Sequence, residues 1–136
     1  MTDAVARLKA SIRMPPFHAW LGVELVEGDP AAGTATLQLP FKAGFERSPD
    51  SQQIHGGVIA ALADIAGDYA LAVSLGGGVP TIDLRIDYLR PAEGDLLATA
   101  RTVKRGRTIG VVDVEIRDAA GRLIAVGRGA YSTTVG

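Results

Sequence analysis

A long apolar segment near the middle of the chain constrains the fold more than any other feature. It opens with Gly56 and Gly57 and continues to about Leu75 with few polar residues. Its length predicts a helix over residues 58–75, about 18 residues and roughly 27 Å long. Because this helix is apolar on nearly every side, we expect it to be enclosed by other elements rather than to lie on a surface.

Two aspartates, Asp64 and Asp68, interrupt this apolar helix. They are four residues apart, so their side chains share one face of the helix. Burying an ionised carboxylate costs free energy unless the group has partners. Both residues therefore need an explanation, structural or functional, and they are the first candidates for a functional site.

The segments on either side of the central helix predict one further helix and six strands. Residues 3–13 carry apolar residues at helical spacing and predict a short amphipathic helix, which Pro15 and Pro16 end. Alternating apolar and polar residues predict strands over residues 22–28, 33–40, 79–90, 95–104, 108–117 and 122–133. This order predicts an α+β fold in which an antiparallel sheet wraps around one long central helix.

Length and composition narrow the class of protein. A chain of 136 residues, 47% of them hydrophobic, is enough for one domain, placed over residues 1–136 with residues 1–16 as an N-terminal helical extension. The net charge of −1 gives no reason to expect a nucleic-acid partner. With no cysteine and two histidines, neither disulfides nor a metal site is expected. The absence of a signal pattern and the two aspartates in the longest apolar run favour a cytoplasmic protein that spans no membrane.

Three local motifs together resemble one known family. The first is His55-Gly56-Gly57 before an apolar helix, with an acidic residue, Asp64, nine positions after the histidine. The second is Val-Pro-Thr-Ile-Asp-Leu at 79–84 leading into Tyr-Leu-Arg-Pro-Ala at 88–92. The third combines residues 103–108 with residues 121–128. From about residue 20 to its end, the chain resembles the hotdog-fold acyl-CoA thioesterases of the phenylacetate-degradation (PaaI-like) type.

The resemblance implies a homo-oligomer that hydrolyses acyl-CoA, with aryl- and arylacetyl-CoA among the candidate substrates. In this family the sheet wraps the helix, two subunits pair edge to edge, and the active sites lie between them. Many members are homotetramers, dimers of such dimers, and an open sheet edge is an independent reason to expect pairing. The CoA thioester is the substrate, so no cofactor is expected.

The resemblance also implies roles for individual residues. The Gly56 amide would polarise the thioester carbonyl, and Asp64 would act as general base or nucleophile together with Gly56 of a partner chain. His55 would order the loop and help to place the oxyanion donors, with direct catalysis as the alternative, and Thr81 would orient the attacking water. Regular strand alternation places Thr81 opposite the face that holds Ile82 and Leu84, so its access to the site would come from the dimer interface.

Further residues are candidates for contacts with substrate. Relatives often carry Asn or Gln six residues before the histidine, where this chain has Pro49, so Gln52 or Gln53 would have to take that role. The substrate-binding candidates are Gln53, Gly57, Asp68, Tyr69, Ile82 and Asp83, and the candidates for binding CoA phosphates are Arg90, Lys104, Arg105 and Arg107. A structural role for Asp68 is an equal alternative.

Two other functions stay open for the sequence. One is a hotdog hydratase or dehydratase acting on acyl thioesters, although the catalytic histidine arrangement of such enzymes is not found here. The other is a protein that binds acyl-CoA without catalysis. The presence of both Gly56 and Asp64 favours hydrolysis over this second alternative.

Overall fold

The computed structural model describes residues 3–134, so the predicted domain limits at residues 1 and 136 lie outside the described residues. Two short helices begin the described chain, α1 (Asp3–Ser11) and α2 (Pro16–Leu21). The remaining elements are β1 (Glu24–Asp29), β2 (Thr34–Leu39), α3 (Gly56–Leu75), β3 (Thr81–Tyr88), β4 (Leu96–Arg105), β5 (Ile109–Asp118) and β6 (Leu123–Ser132). A short 3-10 turn, Ala43–Phe45, lies in the predicted loop before α3.

The six strands form one antiparallel sheet in the order β1-β2-β4-β5-β6-β3. Helix α3 contacts all six strands, which explains why its sequence is apolar on nearly every side. The predicted hotdog architecture, an antiparallel sheet around one central helix with a short N-terminal helix, is confirmed. Among residues 3–134, α3 alone is long and apolar enough to cross a membrane, but most of it is buried in this core.

The central helix begins at Gly56, two residues before the predicted start at Val58. His55 is its N-cap residue, and His55 Nδ1 accepts a hydrogen bond from the Gly57 amide at 2.9 Å. This bond satisfies one of the backbone donors that a helix start leaves free, and so it offsets the low helix propensity of two glycines. Gly76, in the left-handed region at φ 88°, ends the helix as expected.

Strand β3 contains a β-bulge that changes which side chains face the helix. Thr81 pairs with Tyr131 and Asp83 pairs with Ala130, so Ile82 is one extra residue in the ladder. The extra residue returns Thr81 to the same face as Leu84, while Ile82 points outward with 56% of its surface exposed. The prediction that Thr81 lies opposite Leu84 is therefore wrong, because it assumed an unbroken alternation.

Pro16 starts a second helix rather than only ending the first. Proline fits the first position of a helix because that position needs no N–H donor. Leu21 from this helix is buried, whereas Phe17 and Trp20 keep about half of their surface exposed at 53% and 51%. The Trp20 ring meets the buried Phe45 ring edge-on at 5.6 Å between centroids, which attaches α2 to the 3-10 turn.

Candidate active site

Within residues 3–134, one backbone N–H in the first turn of α3 has no hydrogen-bond partner. The amide of Gly57 donates to His55 Nδ1, and the amides of Val58 and Ile59 both donate to the His55 carbonyl oxygen. Among the described residues, the Gly56 amide has no hydrogen-bond acceptor. It lies at the positive end of the helix dipole, so this position favours an oxygen that carries or develops negative charge.

A cavity of about 390 Å³ opens beside Gly56. Its walls come from the loop before α3, the first turn of α3 and the segment after β3. The lining residues are Arg47, Gln53, Ile54, Gly56, Ile59, Tyr88, Leu89, Arg90, Pro91 and Ala92. Of the predicted site residues, Gly56, Gln53 and Arg90 are brought together here.

Gln53, rather than Gln52, lies in this cavity. Its Oε1 accepts a hydrogen bond from Arg47 Nη1 at 3.1 Å, which leaves its amide NH₂ group available as a donor. Gln52 is exposed and adopts a left-handed backbone at φ 58°, with its own amide bonded to Glu46 Oε2 at 2.7 Å. Arg47 was not among the predicted site residues, because nothing in the residue pattern of the loop indicated its contact with Gln53.

Asp64 lies two turns further along α3 and is bonded to Thr81 of its own chain. Thr81 Oγ1 donates to Asp64 Oδ1 at 2.7 Å, and the β-bulge at Ile82 makes this contact by turning Thr81 toward the helix. The expectation that Thr81 reaches the site only through a dimer interface is therefore wrong. A second hydroxyl, that of the buried Tyr131, donates to the backbone carbonyl of Asp64 at 3.0 Å.

Asp68 has a backbone partner at the far side of the glycine-rich turn that follows α3. Its Oδ1 accepts a hydrogen bond from the Val79 amide at 2.8 Å, so the carboxylate ties α3 to the segment leading into β3. Burial raises the pKa of Asp68 to about 6; the Val79 bond opposes this shift and the charge of Asp64 adds to it. The structure thus gives Asp68 a role in holding this turn.

Asp68 and Tyr69 line a second cavity, of about 690 Å³, under the N-terminal helices. His18 also lines it, and His18 Nδ1 lies 2.8 Å from the Ile12 carbonyl oxygen. Burial raises the pKa of Tyr69 to about 12, with a smaller contribution from the charge of Asp68. Tyr69 is therefore a neutral, mostly apolar wall of this cavity.

The four cations predicted to bind CoA phosphates do not form one cluster within a chain. Arg90 lines the cavity beside Gly56, whereas Lys104 and Arg105 line a separate cavity with Ser74, near the other end of α3. Arg107 is exposed in the turn between β4 and β5, and Asp83 is exposed on β3. Within residues 3–134, no group of three or more His, Asp or Glu side chains is placed to hold a metal ion.

The chain is similar to known proteins in both sequence and structure. A family model described as "Thioesterase superfamily" matches residues 52–125, the segment that holds Gly56, Asp64 and Thr81. Acyl-coenzyme A thioesterase 13 of Homo sapiens is 38% identical over 89% of this chain and 87% of its own length. Acyl-coenzyme A thioesterase PaaI of Escherichia coli is 32% identical over 80% of this chain and 76% of its own length.

Solved structures lead to the same family. The structure of the E. coli PaaI protein from the phenylacetic acid degradation operon superposes with a TM-score of 0.81 and 28% identity, covering 96% of this chain and 94% of that one. Zebrafish thioesterase superfamily member 2 superposes with a TM-score of 0.82 and 28% identity, covering 96% of this chain and 98% of that one. The similarity thus extends over nearly the whole described fold.

Proposed function

This chain belongs to the thioesterase superfamily, and we propose that it is an acyl-CoA thioesterase that hydrolyses a thioester to a free acid and CoA. The observation that supports this best is the Gly56 amide, which has no acceptor among the described residues and lies at the positive end of α3 beside a cavity. Such an amide matches the carbonyl oxygen of a thioester, which becomes negative as the carbonyl carbon is attacked.

The Gly56 amide would stabilise this developing oxyanion. Its direction is set by the helix, so little reorganisation is needed when the charge forms. Gln53 lies in the same cavity and has a free NH₂ donor, which suits a second hydrogen bond to the substrate. Loss of one such donor typically costs about 3 kcal/mol of transition-state stabilisation.

Asp64 would supply the base or the nucleophile. As a base it takes a proton from water, the water oxygen adds to the carbonyl carbon, and the carbon–sulfur bond then breaks as that proton is delivered to the CoA sulfur. As a nucleophile its oxygen adds to the carbonyl carbon, the carbon–sulfur bond breaks and the CoA thiolate leaves; water then hydrolyses the resulting anhydride to the free acid and the Asp64 carboxylate. The Thr81 hydroxyl donates to Oδ1, so its lone pairs are free to accept a hydrogen bond from the attacking water.

Two copies of the chain are needed to bring these groups together. Gly56 and Asp64 are eight residues apart on one helix, a rise of about 12 Å, so within one chain they cannot both contact a single carbonyl group. Strand β3, which carries Thr81, is at an outer position of the sheet and leaves one edge free to pair. We therefore propose a homodimer in which Gly56 of one copy acts with Asp64 of the other, and two such dimers as the larger assembly.

Arg90 and Arg47 are two cations beside the Gly56 amide. Both line the cavity beside Gly56, and arginine suits phosphate oxygens because its donors form a planar fork. We propose that they contact CoA phosphates, with Arg47 also holding Gln53. Aryl- and arylacetyl-CoA stay the first substrates to assay.

The test uses variants that remove one group at a time. Gly56→Pro deletes the N–H at the first helical position, where proline fits the helix, and Gly56→Ala keeps that N–H as the matched control. We expect Gly56→Pro to lower kcat about 100-fold relative to Gly56→Ala, and Asp64→Asn to lower it by orders of magnitude, with unchanged circular dichroism.

Turnover is measured on short, medium and aromatic acyl-CoAs, with direct binding as a second readout. Equal kcat for the two Gly56 variants would contradict the oxyanion role, and full turnover by Asp64→Asn would contradict the role of the carboxylate. Binding of CoA esters by the wild type with no hydrolysis would favour the non-catalytic alternative.

A further inference from the structure

Two tyrosine hydroxyls from the sheet reach backbone carbonyls of α3, and both carbonyls belong to residues of the proposed site. Tyr88 Oη, at the end of β3, donates to the Gly56 carbonyl oxygen at 2.8 Å. Tyr131 Oη, near the end of β6, donates to the Asp64 carbonyl oxygen at 3.0 Å. A carbonyl inside a helix already accepts a hydrogen bond from an N–H of the same helix. The bonds from the two tyrosines are additional, so they fix the position of α3 against the sheet rather than help the helix to form.

Tyr131 occupies a slot that two glycines keep open. Its side chain is fully buried, and a Cβ atom at Gly67 would lie 2.1 Å from Tyr131 Oη. A Cβ atom at Gly129 would lie 2.6 Å from the same ring. Burial, together with the negative charges of Asp64 and Asp68, raises the pKa of Tyr131, so its hydroxyl stays a donor throughout the physiological pH range.

Tyr88 stands against the first turn of the same helix. A Cβ atom at Gly56 would lie 3.4 Å from its ring, so the ring covers one side of this glycine. The N–H and the carbonyl of Gly56 are separated only by the two dihedral angles of that residue. Holding the carbonyl therefore restricts the direction of the N–H of this cavity-lining residue.

We propose that Tyr88 and Tyr131 are positioning residues, which hold the Gly56 amide and the Asp64 carboxylate at set places against the sheet. The proposal rests on the proposed thioesterase function, in which these two groups act on one carbonyl. A displacement of about 1 Å in such groups can cost about 100-fold in rate. Loss of either hydroxyl should thus lower kcat while KM changes little.

The kinetic test removes the hydroxyls and keeps the rings, in Tyr88→Phe and Tyr131→Phe. Thr102→Val is the matched control, because Thr102 Oγ1 also lies within hydrogen-bond distance of an α3 carbonyl, that of Ala70 at 3.5 Å, beyond Asp64. With an acyl-CoA that the wild type hydrolyses, both tyrosine variants should lose about tenfold or more in kcat with KM within about twofold. The control should keep kcat within about twofold.

Unchanged kcat in both tyrosine variants would overturn the proposal, as would an equal loss in the control. Amide hydrogen exchange provides a readout that needs no substrate. Exchange should become faster in the first turn of α3 in Tyr88→Phe and around Asp64 in Tyr131→Phe, and in neither place in Thr102→Val. If the wild type hydrolyses no acyl-CoA, the proposed function fails, and the exchange result still decides whether the tyrosines hold the helix.

Discussion

At the scale of single residues, Asp64 is held through both its side chain and its backbone. Thr81 bonds to one carboxylate oxygen at 2.7 Å, and Tyr131 bonds to the backbone carbonyl. The first contact restricts the rotation of the side chain, and the second holds the backbone that carries it. A side chain that is already ordered pays a smaller entropic cost to reach the reactive geometry, which suits the role proposed for Asp64.

Asp68 provides a residue-scale prediction about stability and pH. Its pKa is about 6 in the folded chain, above the ordinary 3.8, so the folded chain binds more protons than the unfolded chain between pH 4 and 6. The free energy of unfolding therefore falls as pH rises through this range. Asp68→Asn keeps an acceptor for the Val79 amide and removes the charge, so it should stabilise the protein by up to about 3 kcal/mol above pH 6.

This prediction is checked by urea unfolding, which gives the free energy of unfolding of the wild type and of Asp68→Asn. Both proteins are measured at pH 7.5 and at pH 4, at one protein concentration. The two proteins should be nearly equal in stability at pH 4, where Asp68 itself is protonated. If the two proteins differed in stability by the same amount at both pH values, the charge of Asp68 would not be the cause of the difference.

At the scale of elements, patterns of residue type were enough to predict α3 and the six strands. A strand that is half buried alternates apolar and polar residues, and a helix that is enclosed is apolar throughout, so each leaves its own pattern. The bulge at Ile82 leaves no such pattern, because one extra residue in a ladder changes no residue type nearby. The face of Thr81 was mispredicted for this reason.

Candidate residues for the site could be named from the sequence, whereas their contacts could not. The motif from His55 to Asp64 indicated Gly56 and Asp64, whose chemistry follows from a helix start and a carboxylate. The contact of Arg47 with Gln53 depends on a loop in which Asp50 and Gln52 adopt positive φ. Asp50 and Gln52 are not glycine, the residue type that usually indicates a positive φ, so the sequence did not indicate this loop conformation.

Packing between α3 and β6 gives an element-scale prediction. Alanine is normally better than glycine inside a helix by about 1 kcal/mol, yet a Cβ atom at Gly67 would collide with Tyr131. Gly67→Ala should therefore lower the free energy of unfolding by about 1–3 kcal/mol. In a Tyr131→Leu background the same change should become neutral or stabilising, as urea unfolding of all four proteins would measure. Equal costs of Gly67→Ala in both backgrounds would show that the collision is not the cause.

At the scale of the whole molecule, the proposed sharing of sites can be tested by mixing two inactive chains. In a heterodimer of Asp64→Asn and Gly56→Pro, one site would combine an intact Gly56 with an intact Asp64, and the other site would have neither. With equal expression and random association, about half of the dimers are mixed. Each mixed dimer has one intact site of two, so co-expression should restore about a quarter of wild-type activity. Separately purified variants mixed without subunit exchange serve as the control, and no recovery after co-expression would mean that each site lies within one chain.

The bulge in β3 has a consequence for protein engineering. A graft of residues 79–90 onto a scaffold with an uninterrupted strand would preserve every residue type and still turn the Thr81 hydroxyl away from the carboxylate. Deleting Ile82 from such a graft would leave Thr81 and Leu84 two positions apart in a regular strand, and so would return both side chains to one face without a bulge. Chimeras and loop-length libraries in this region should therefore be designed by the parity of the strand rather than by its length.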